Sequence, residues 1–207
     1  MRIPNEGGTD FDMIKLIGRE VAPYYRFRVN FTFSDRHTVR FLIAPLTKIG
    51  TGIFNEPVFF EETNFVAETP VDGTYKFNTY RLTYRYQFYD RNGWVLGAGV
   101  AGLIRDAKIE LVQPNQFDSN TDVGFVPLVH LYVERHIGNL HSIIVDAETL
   151  AGPQGRATDA AVMFNFGLSE KWSLFAGYRL LEGGADVDEV YNFSWINFAL
   201  FGLEIDI

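Results

Sequence analysis

TYKFNTYRLTYRYQFYD, residues 74–90, alternates between two kinds of side chain. One parity is apolar and aromatic: Tyr80, Leu82, Tyr84, Tyr86 and Phe88. The other is polar: Thr79, Arg81, Thr83, Arg85 and Gln87. Because successive residues of a β-strand point to opposite faces, the pattern predicts one strand with an apolar face and an arginine-bearing face. At about 16 residues the strand is far longer than those of most soluble sheets, and long tilted strands are what a membrane-spanning β-barrel requires.

The composition is that of one folded domain, which we predict to cover residues 1–207. The chain is 47% hydrophobic and 15% aromatic, which excludes general disorder. It has no run of about 18 apolar residues, so a transmembrane helix is excluded. Alternating strands keep the mean hydropathy near zero, so this test does not bear on a barrel.

The charge and the cysteine count exclude several classes of function. A net charge of −8 without a basic stripe argues against a nucleic-acid partner. The absence of cysteine excludes disulfides, thiol nucleophiles and Cys-ligated zinc. The chain starts MRIPNEGG, with neither a charged leader nor an apolar segment after it, so an outer-membrane location requires an export signal that was removed or that lies outside this sequence.

Turn residues divide the chain into nine predicted strands. They cover residues 24–34, 37–46, 74–89, 94–112, 121–135, 140–150, 156–168, 172–182 and 193–207. Short turns at 34–36, 90–93, 136–139 and 169–171 alternate with longer loops at 47–73, 113–120, 151–155 and 183–192. The alternation predicts an up-and-down antiparallel transmembrane barrel with periplasmic turns and extracellular loops, preceded by an N-terminal segment at 1–23. The sequence PVFFEETNF, residues 57–65, predicts a small hairpin in the longest loop.

The number of strands raises a problem of closure. Antiparallel closure of a barrel needs an even number of strands. Either residues 11–17 supply a short tenth strand, or one strand upstream of Met1 is missing. We therefore expect a barrel of 8 to 10 strands, with a missing strand slightly favoured.

The two faces of these strands predict two sets of site residues. The polar parity predicts a lumen filled by a structural charge network, because such groups cannot face lipid and the lumen of a small barrel is narrow. Its members are Arg26, Arg28, Arg40, Arg81, Arg85, Arg105, Arg179, Glu134, Asp146, Glu148, Asp159 and Glu204, with His130 on the same parity. The apolar parity predicts aromatic girdles at the lipid interface. These are Trp94, Trp172, Trp195, Tyr80, Tyr86, Phe88 and Tyr178. Pro127 falls inside a predicted strand and indicates a local irregularity there.

Catalytic and metal-binding patterns are weak in this sequence. The adjacent His141 and Ser142 would point to opposite faces of a strand, and no histidine pair has metal-ligand spacing. In the acidic stretch 182–189, Asp186, Asp188 and Glu189 are weak candidates for a divalent cation, although a solvated acidic loop is the favoured interpretation. We predict no cofactor and no enzymatic activity.

Five segments carry a resemblance to known proteins: NTYRLTYRYQFY, IRDAKIEL, VGFVPLVHLY, GPQGRATD and LEGGADVDEVYNF. Together they resemble a group of small outer-membrane β-barrel proteins of Gram-negative bacteria that has no established activity. The layout is more distantly similar to OmpA-type and OmpW-type barrels. The resemblance implies an outer-membrane location and a single barrel, and it supplies no catalytic residues.

The function expected from the sequence is that of an outer-membrane barrel with a side-chain-filled polar lumen and a structural or interaction role. Its expected partners are outer-membrane lipid and lipopolysaccharide, and we expect a monomer. Three alternatives stay open. They are a narrow channel or transport barrel for small or hydrophobic solutes, a lipid-modifying outer-membrane enzyme, and a soluble lipocalin-like barrel with its apolar face inward.

Overall fold

Antiparallel strands make up most of the computed structural model, which describes residues 1–206. The elements are α1 (Met13–Ile17), β1 (Phe27–Phe33), β2 (His37–Ala44), β3 (Thr47–Ile53), β4 (Val58–Phe60), β5 (Thr63–Phe65), β6 (Pro70–Arg91), β7 (Trp94–Gln113), β8 (Gln116–Ile137), β9 (His141–Gly152), β10 (Gly155–Gly167), β11 (Trp172–Val187) and β12 (Val190–Ile205). The all-β prediction is confirmed. Of the nine predicted strands, only the last extends beyond the described part of the chain, by Ile207.

The main sheet follows the order of the chain, with strands β1-β2-β6-β7-β8-β9-β10-β11-β12, and it curls into a half-barrel. Each pair is antiparallel, as an up-and-down topology requires. No backbone ladder joins β1 to β12 within residues 1–206. The two edges still approach each other on the concave side, where the Tyr24 and Phe198 rings stack with centroids 4.9 Å apart.

The residues proposed for a tenth strand form a helix instead. Within 11–17, residues Met13–Ile17 are helical because the Asp12 carboxylate accepts hydrogen bonds from the backbone N–H groups of Ile14 and Lys15. Gly18, at φ 83°, ends the helix. No helix in the described chain is both long enough and apolar enough to cross a membrane.

Three of the predicted long loops were also wrong. Residues 113–120, 151–155 and 183–192 consist mostly of strand, and only two residues separate the strands of each hairpin there. The polar residues that suggested loops are paired across these hairpins, as Asp186 is with Tyr191. Only residues 47–73 make a long excursion. They contain β3, which pairs with β6, and the β4–β5 hairpin predicted at residues 57–65.

Three of the long strands, β6, β7 and β11, exchange their two faces at one level. On the convex side of β6, residues 80–88 are apolar or aromatic on alternate positions, whereas Asp72, Thr74, Lys76 and Asn78 continue the same parity with polar groups. The concave side shows the reverse pattern, with Arg81 and Arg85 at the first level and Val71, Tyr75 and Phe77 at the second. The convex side of β7 changes likewise, from Ile104 to Asp106, and that of β11 from Leu180 to Glu182. We call the apolar convex surface below this level the apolar band.

Above the apolar band, the concave face carries a separate hydrophobic core. Residues of the N-terminal segment, α1, the β4–β5 hairpin and the upper parts of β6 and β7 form it. They are Ile3, Met13, Leu16, Ile17, Phe54, Val58, Phe60, Phe65, Val71, Ile109 and Leu111. Gly50, Gly52 and Gly73 allow α1 to lie directly on the sheet, because a Cβ atom at any of them would collide with the helix. The N-terminal segment and residues 47–73 thus form one folded cap.

Candidate functional site

Arg40, Asp146 and His130 form the first part of a buried ionic network on the concave face. Arg40 donates two hydrogen bonds to Asp146, from Nη1 to Oδ1 at 3.2 Å and from Nη2 to Oδ2 at 2.5 Å. His130 Nε2 lies 3.1 Å from Asp146 Oδ1. All three side chains are buried, and such a bidentate pair fixes the geometry of the carboxylate.

Arg81 lies between the two remaining carboxylates of the network. Its Nη1 contacts Glu148 Oε2 and lies 2.9 Å from Asp159 Oδ2. Thr83 Oγ1 donates a hydrogen bond of 2.6 Å to the other oxygen of Glu148. Glu148 and Asp159 stand directly opposite each other on the β9–β10 ladder, so the cation between them offsets their repulsion.

Asp159 is the acceptor on which three arginines converge. Arg179 donates to both of its oxygens, from Nε at 2.6 Å and from Nη2 at 2.9 Å. Arg26 Nη1 reaches the same carboxylate from beside β1 at 3.4 Å. Strands that are distant in sequence therefore meet at one ionic centre. We use the name ionic network for Arg26, Arg40, Arg81, Arg179, His130, Asp146, Glu148 and Asp159.

The other predicted lumen charges lie outside this network. The Arg28 guanidinium lies 5.6 Å from the centroid of the Phe175 ring, and Arg105 contacts Asp122. Glu204 faces the interior beside Ser173 and forms no ion pair within residues 1–206.

Arg85 and Glu134 are connected through an aromatic residue. The Arg85 guanidinium stacks 3.8 Å from the Tyr132 ring centroid and donates to Thr38 at 3.2 Å. The Tyr132 hydroxyl donates to Glu134 at 2.6 Å. Tyr132, Thr38 and Thr83 were missed by the sequence analysis as site residues, although Thr83 shares the parity of Arg81 and could have been found by that signal.

The predicted girdle aromatics all lie on the convex surface with a substantial part of each ring exposed. This set is Trp94, Trp172, Trp195, Tyr80, Tyr86, Phe88 and Tyr178. The Tyr178 hydroxyl and the Trp195 indole N–H both donate to Asn197 Oδ1, at 2.5 and 3.1 Å. Within the apolar band, the apolar parity is therefore exposed and the charged parity faces the concave side.

The acidic candidates for a cation do not converge. Asp186 lies on β11 and accepts a hydrogen bond of 3.1 Å from Asn5 Nδ2, while Asp188 and Glu189 lie in the turn that follows. No group of three or more His, Cys, Asp or Glu residues in the described structure could hold a metal ion.

A cavity of about 650 Å³ lies between the ionic network and the upper ends of the strands. Arg81 and Asp159 belong to its lining and form its floor. Its walls come from both sides of the curled sheet. Their apolar residues are Tyr75, Phe77, Leu103, Ala107, Ile109, Val126, Leu128, Leu150, Ala157 and Leu181, and their charged residues are Arg105, Lys108, Asp122, Arg156, Glu182 and Glu189.

The cavity reaches the outside through a gap at the β8 edge. The β8–β9 ladder ends at Val129 and Thr149, above which β9 pairs with β10 alone. In the described chain, no strand pairs with residues 116–128 of β8 on the side away from β7. Phe125 and Pro127 point to the convex side, yet they line the cavity. Pro127 has no backbone N–H to donate to a neighbouring strand. The irregularity predicted at Pro127 corresponds to the end of the β8–β9 ladder at Val129, two residues away.

Comparison of the chain with models of protein families, with curated proteins and with solved structures finds no match. The geometry of the charged interior, the apolar band and the cavity is therefore the basis for a functional assignment.

Proposed function

We propose that this chain is an outer-membrane β-barrel protein of a Gram-negative bacterium, with a side-chain-filled polar lumen and a structural or interaction role. The observation that carries the proposal is the apolar band. It covers residues 80–88 of β6, 94–104 of β7 and 172–180 of β11. These stretches of about 9 to 11 residues have the length that a tilted strand needs to cross the hydrocarbon core.

The exchange of faces at the top of the band supports the same proposal. Below that level the convex side is apolar and the concave side is charged, which suits lipid outside and a packed polar lumen inside. Above it, the convex side of β6, β7 and β11 is polar and the concave side holds a hydrophobic core, which suits water outside. A lipocalin-like barrel requires the opposite arrangement, with its charged parity outward throughout, so the burial of Arg81 argues against that alternative.

The ionic network supports a filled lumen. Arg81, Arg179, Glu148 and Asp159 are each less than a tenth exposed. A buried charge without a partner costs several kcal/mol, and mutual pairing removes most of that cost. Charges held in this way occupy the space that a conduit would need, which favours a plug over an open pore.

The buried histidine fits a structural role better than a catalytic one. His130 is fully buried, and the Asp146 carboxylate beside it is already engaged by Arg40 in two hydrogen bonds. His141 is exposed while the adjacent Ser142 is buried, so these two side chains point to opposite faces. This geometry gives no support to the lipid-modifying enzyme.

Cell fractionation tests the membrane location. The natural full-length protein, expressed in a Gram-negative host, is expected in the outer-membrane fraction of a density gradient and in solution only after detergent is added. Recovery in a buffer-soluble fraction without detergent would overturn the proposal.

Planar-bilayer recording tests the filled lumen separately. The refolded protein is expected to show no discrete current steps, whereas an open porin recorded in the same bilayers gives them. Discrete steps from this protein would contradict the filled lumen and would favour the channel alternative, without bearing against the membrane location.

A further inference from the structure

The lining of the cavity combines apolar side chains with eight charged ones, and Arg81 and Asp159 form its floor. Leu103, Val126 and Leu128 form an apolar row from beside Arg81 towards Phe125 and Pro127 at the β8 edge. The volume of about 650 Å³ falls in the range of sites for small organic ligands. Such a shape suits a molecule with an apolar body and a polar head.

Beneath the floor of the cavity, the ionic network carries more positive than negative charge, although only Arg81 and Asp159 of this group line the cavity. Arg26, Arg81 and Arg179 surround two carboxylates, those of Asp159 and Glu148. Three cations against two anions leave one positive charge in excess. An arginine with spare donors favours an anionic group, above all a carboxylate.

Unpaired polar atoms point to the same place. Arg81 is 6% exposed and lines the cavity, and its Nε has no hydrogen-bond partner within residues 1–206. Arg105 Nε, which belongs to another residue of the lining, is likewise buried without a partner. Buried donors are normally satisfied, so an unpaired guanidinium N–H indicates a position for an acceptor.

The gap at the β8 edge gives the cavity its access route. Phe125, beside the gap, pairs with Ile104, the uppermost residue of the apolar band on β7. An apolar chain leaving the cavity there would pass from the protein interior to the surface that we assign to lipid. The cap lies above, so the sideways route is the one that keeps an apolar chain out of water.

We propose that the cavity binds a long-chain carboxylate, with its head at Arg81 and its apolar chain directed towards the gap between β8 and β9. The sideways route rests on the proposed membrane location, whereas the binding itself rests on the cavity and its charge. The ligand class is a fatty carboxylate because a carboxylate head matches the unpartnered Nε of Arg81, and an apolar chain matches the row formed by Leu103, Val126 and Leu128.

Equilibrium binding of oleate to the full chain, refolded in a non-ionic detergent, tests this assignment. Oleyl alcohol has the same chain without the charge and serves as the matched probe. Oleate is expected to bind at one site per chain and at least ten-fold more tightly than oleyl alcohol. Equal binding of the two compounds, or no saturable binding of oleate, would overturn the proposal.

Two tryptophan substitutions locate the site. Ala107→Trp places a large ring inside the cavity and is expected to weaken oleate binding at least ten-fold, because Ala107 belongs to the lining. Ala199→Trp adds the same ring to the exposed face of β12 and should leave binding unchanged. Equal affinities of the two variants would mean that oleate binds the outer surface, which would contradict a site in the cavity.

Arg81→Gln tests the head-group position. It is expected to remove the preference for oleate over oleyl alcohol, and retention of that preference in a folded variant would overturn the role of Arg81. Folding of each variant is checked by heat-modified electrophoretic mobility, and Ala107→Trp keeps the proposal testable if Arg81→Gln does not fold. Cell fractionation separates the two proposals, because a buffer-soluble protein that still binds oleate in this way would refute only the membrane location.

Discussion

Replacing Arg81 by Met should destabilise the protein much more than replacing an arginine in an exposed turn. The change leaves the volume nearly filled and removes one cation from between Glu148 and Asp159. Asp159 keeps Arg179 and Arg26 as partners, whereas Glu148 keeps only the hydroxyl of Thr83. The loss therefore falls mainly on Glu148, which is 2% exposed.

The magnitude follows from the cost of leaving a buried charge unpaired. Removal of one partner of a buried ion pair costs about 3–5 kcal/mol. With a urea dependence of about 2 kcal/mol per M, the midpoint of unfolding should fall by about 2 M. Urea titration in lipid vesicles, followed by tryptophan fluorescence and by heat-modified mobility, measures this shift.

A second substitution separates charge from packing. Arg81→Met combined with Glu148→Gln removes both charges, so it should recover at least half of the lost free energy of unfolding. Arg36→Met, in an exposed turn, is the control and should change stability by less than about 0.5 kcal/mol. A loss below about 1 kcal/mol for Arg81→Met, or a double variant no more stable than the single one, would refute the reasoning.

Three further predictions test the apolar band, the cap and the ionic centre. Leu82→Arg, in the apolar band, should cost about 2–4 kcal/mol in vesicles, while Thr74→Arg on the same face above the band should cost about 0.5 kcal/mol or less; equal costs would contradict the position of the band. Gly50→Ala should displace α1 and speed proteolysis of the N-terminal segment, whereas Gly152→Ala, which has open space around it, should be cleaved at the wild-type rate. Asp159→Asn should lower the free energy of unfolding by about 3 kcal/mol or more in the urea titration, because three arginines lose their shared acceptor; wild-type stability would show that these contacts contribute little.

Side-chain alternation predicted the strands well because it is a local property with a period of two residues. The nine strands of the main sheet occupy the stretches where the alternation was found, and β4 and β5 form the expected hairpin. The same rule failed near the hairpin tips. Polar side chains such as Asp186 occur both in loops and on the water-exposed face of a strand. Above the apolar band the convex face of β11 is polar, so Asp186 lies on a strand although its polarity predicted a loop.

The membership of the candidate site was only partly predictable. Parity identified Arg81, Asp159 and Glu148 as residues of one face. It could not show that Arg105 would contact Asp122, or that Glu204 would lie apart from the ionic network, because contacts across the interior depend on the register and curvature of strands distant in sequence. The helix in residues 11–17 was missed because the apolar pattern there is short and ambiguous. The helix forms because the Asp12 side chain, at the N-cap position, accepts hydrogen bonds from the first turn.

The sequence by itself determined the strand class, the number of long strands and the sorting of side chains into two faces, because these depend only on near neighbours in the chain. The tertiary structure alone decided which carboxylate each arginine pairs with, and where β8 parts from β9 to open the cavity. The physical reason is that curl and register act between strands far apart in sequence. A shift of the strand register by one residue would place different charges opposite each other without changing any local sequence pattern.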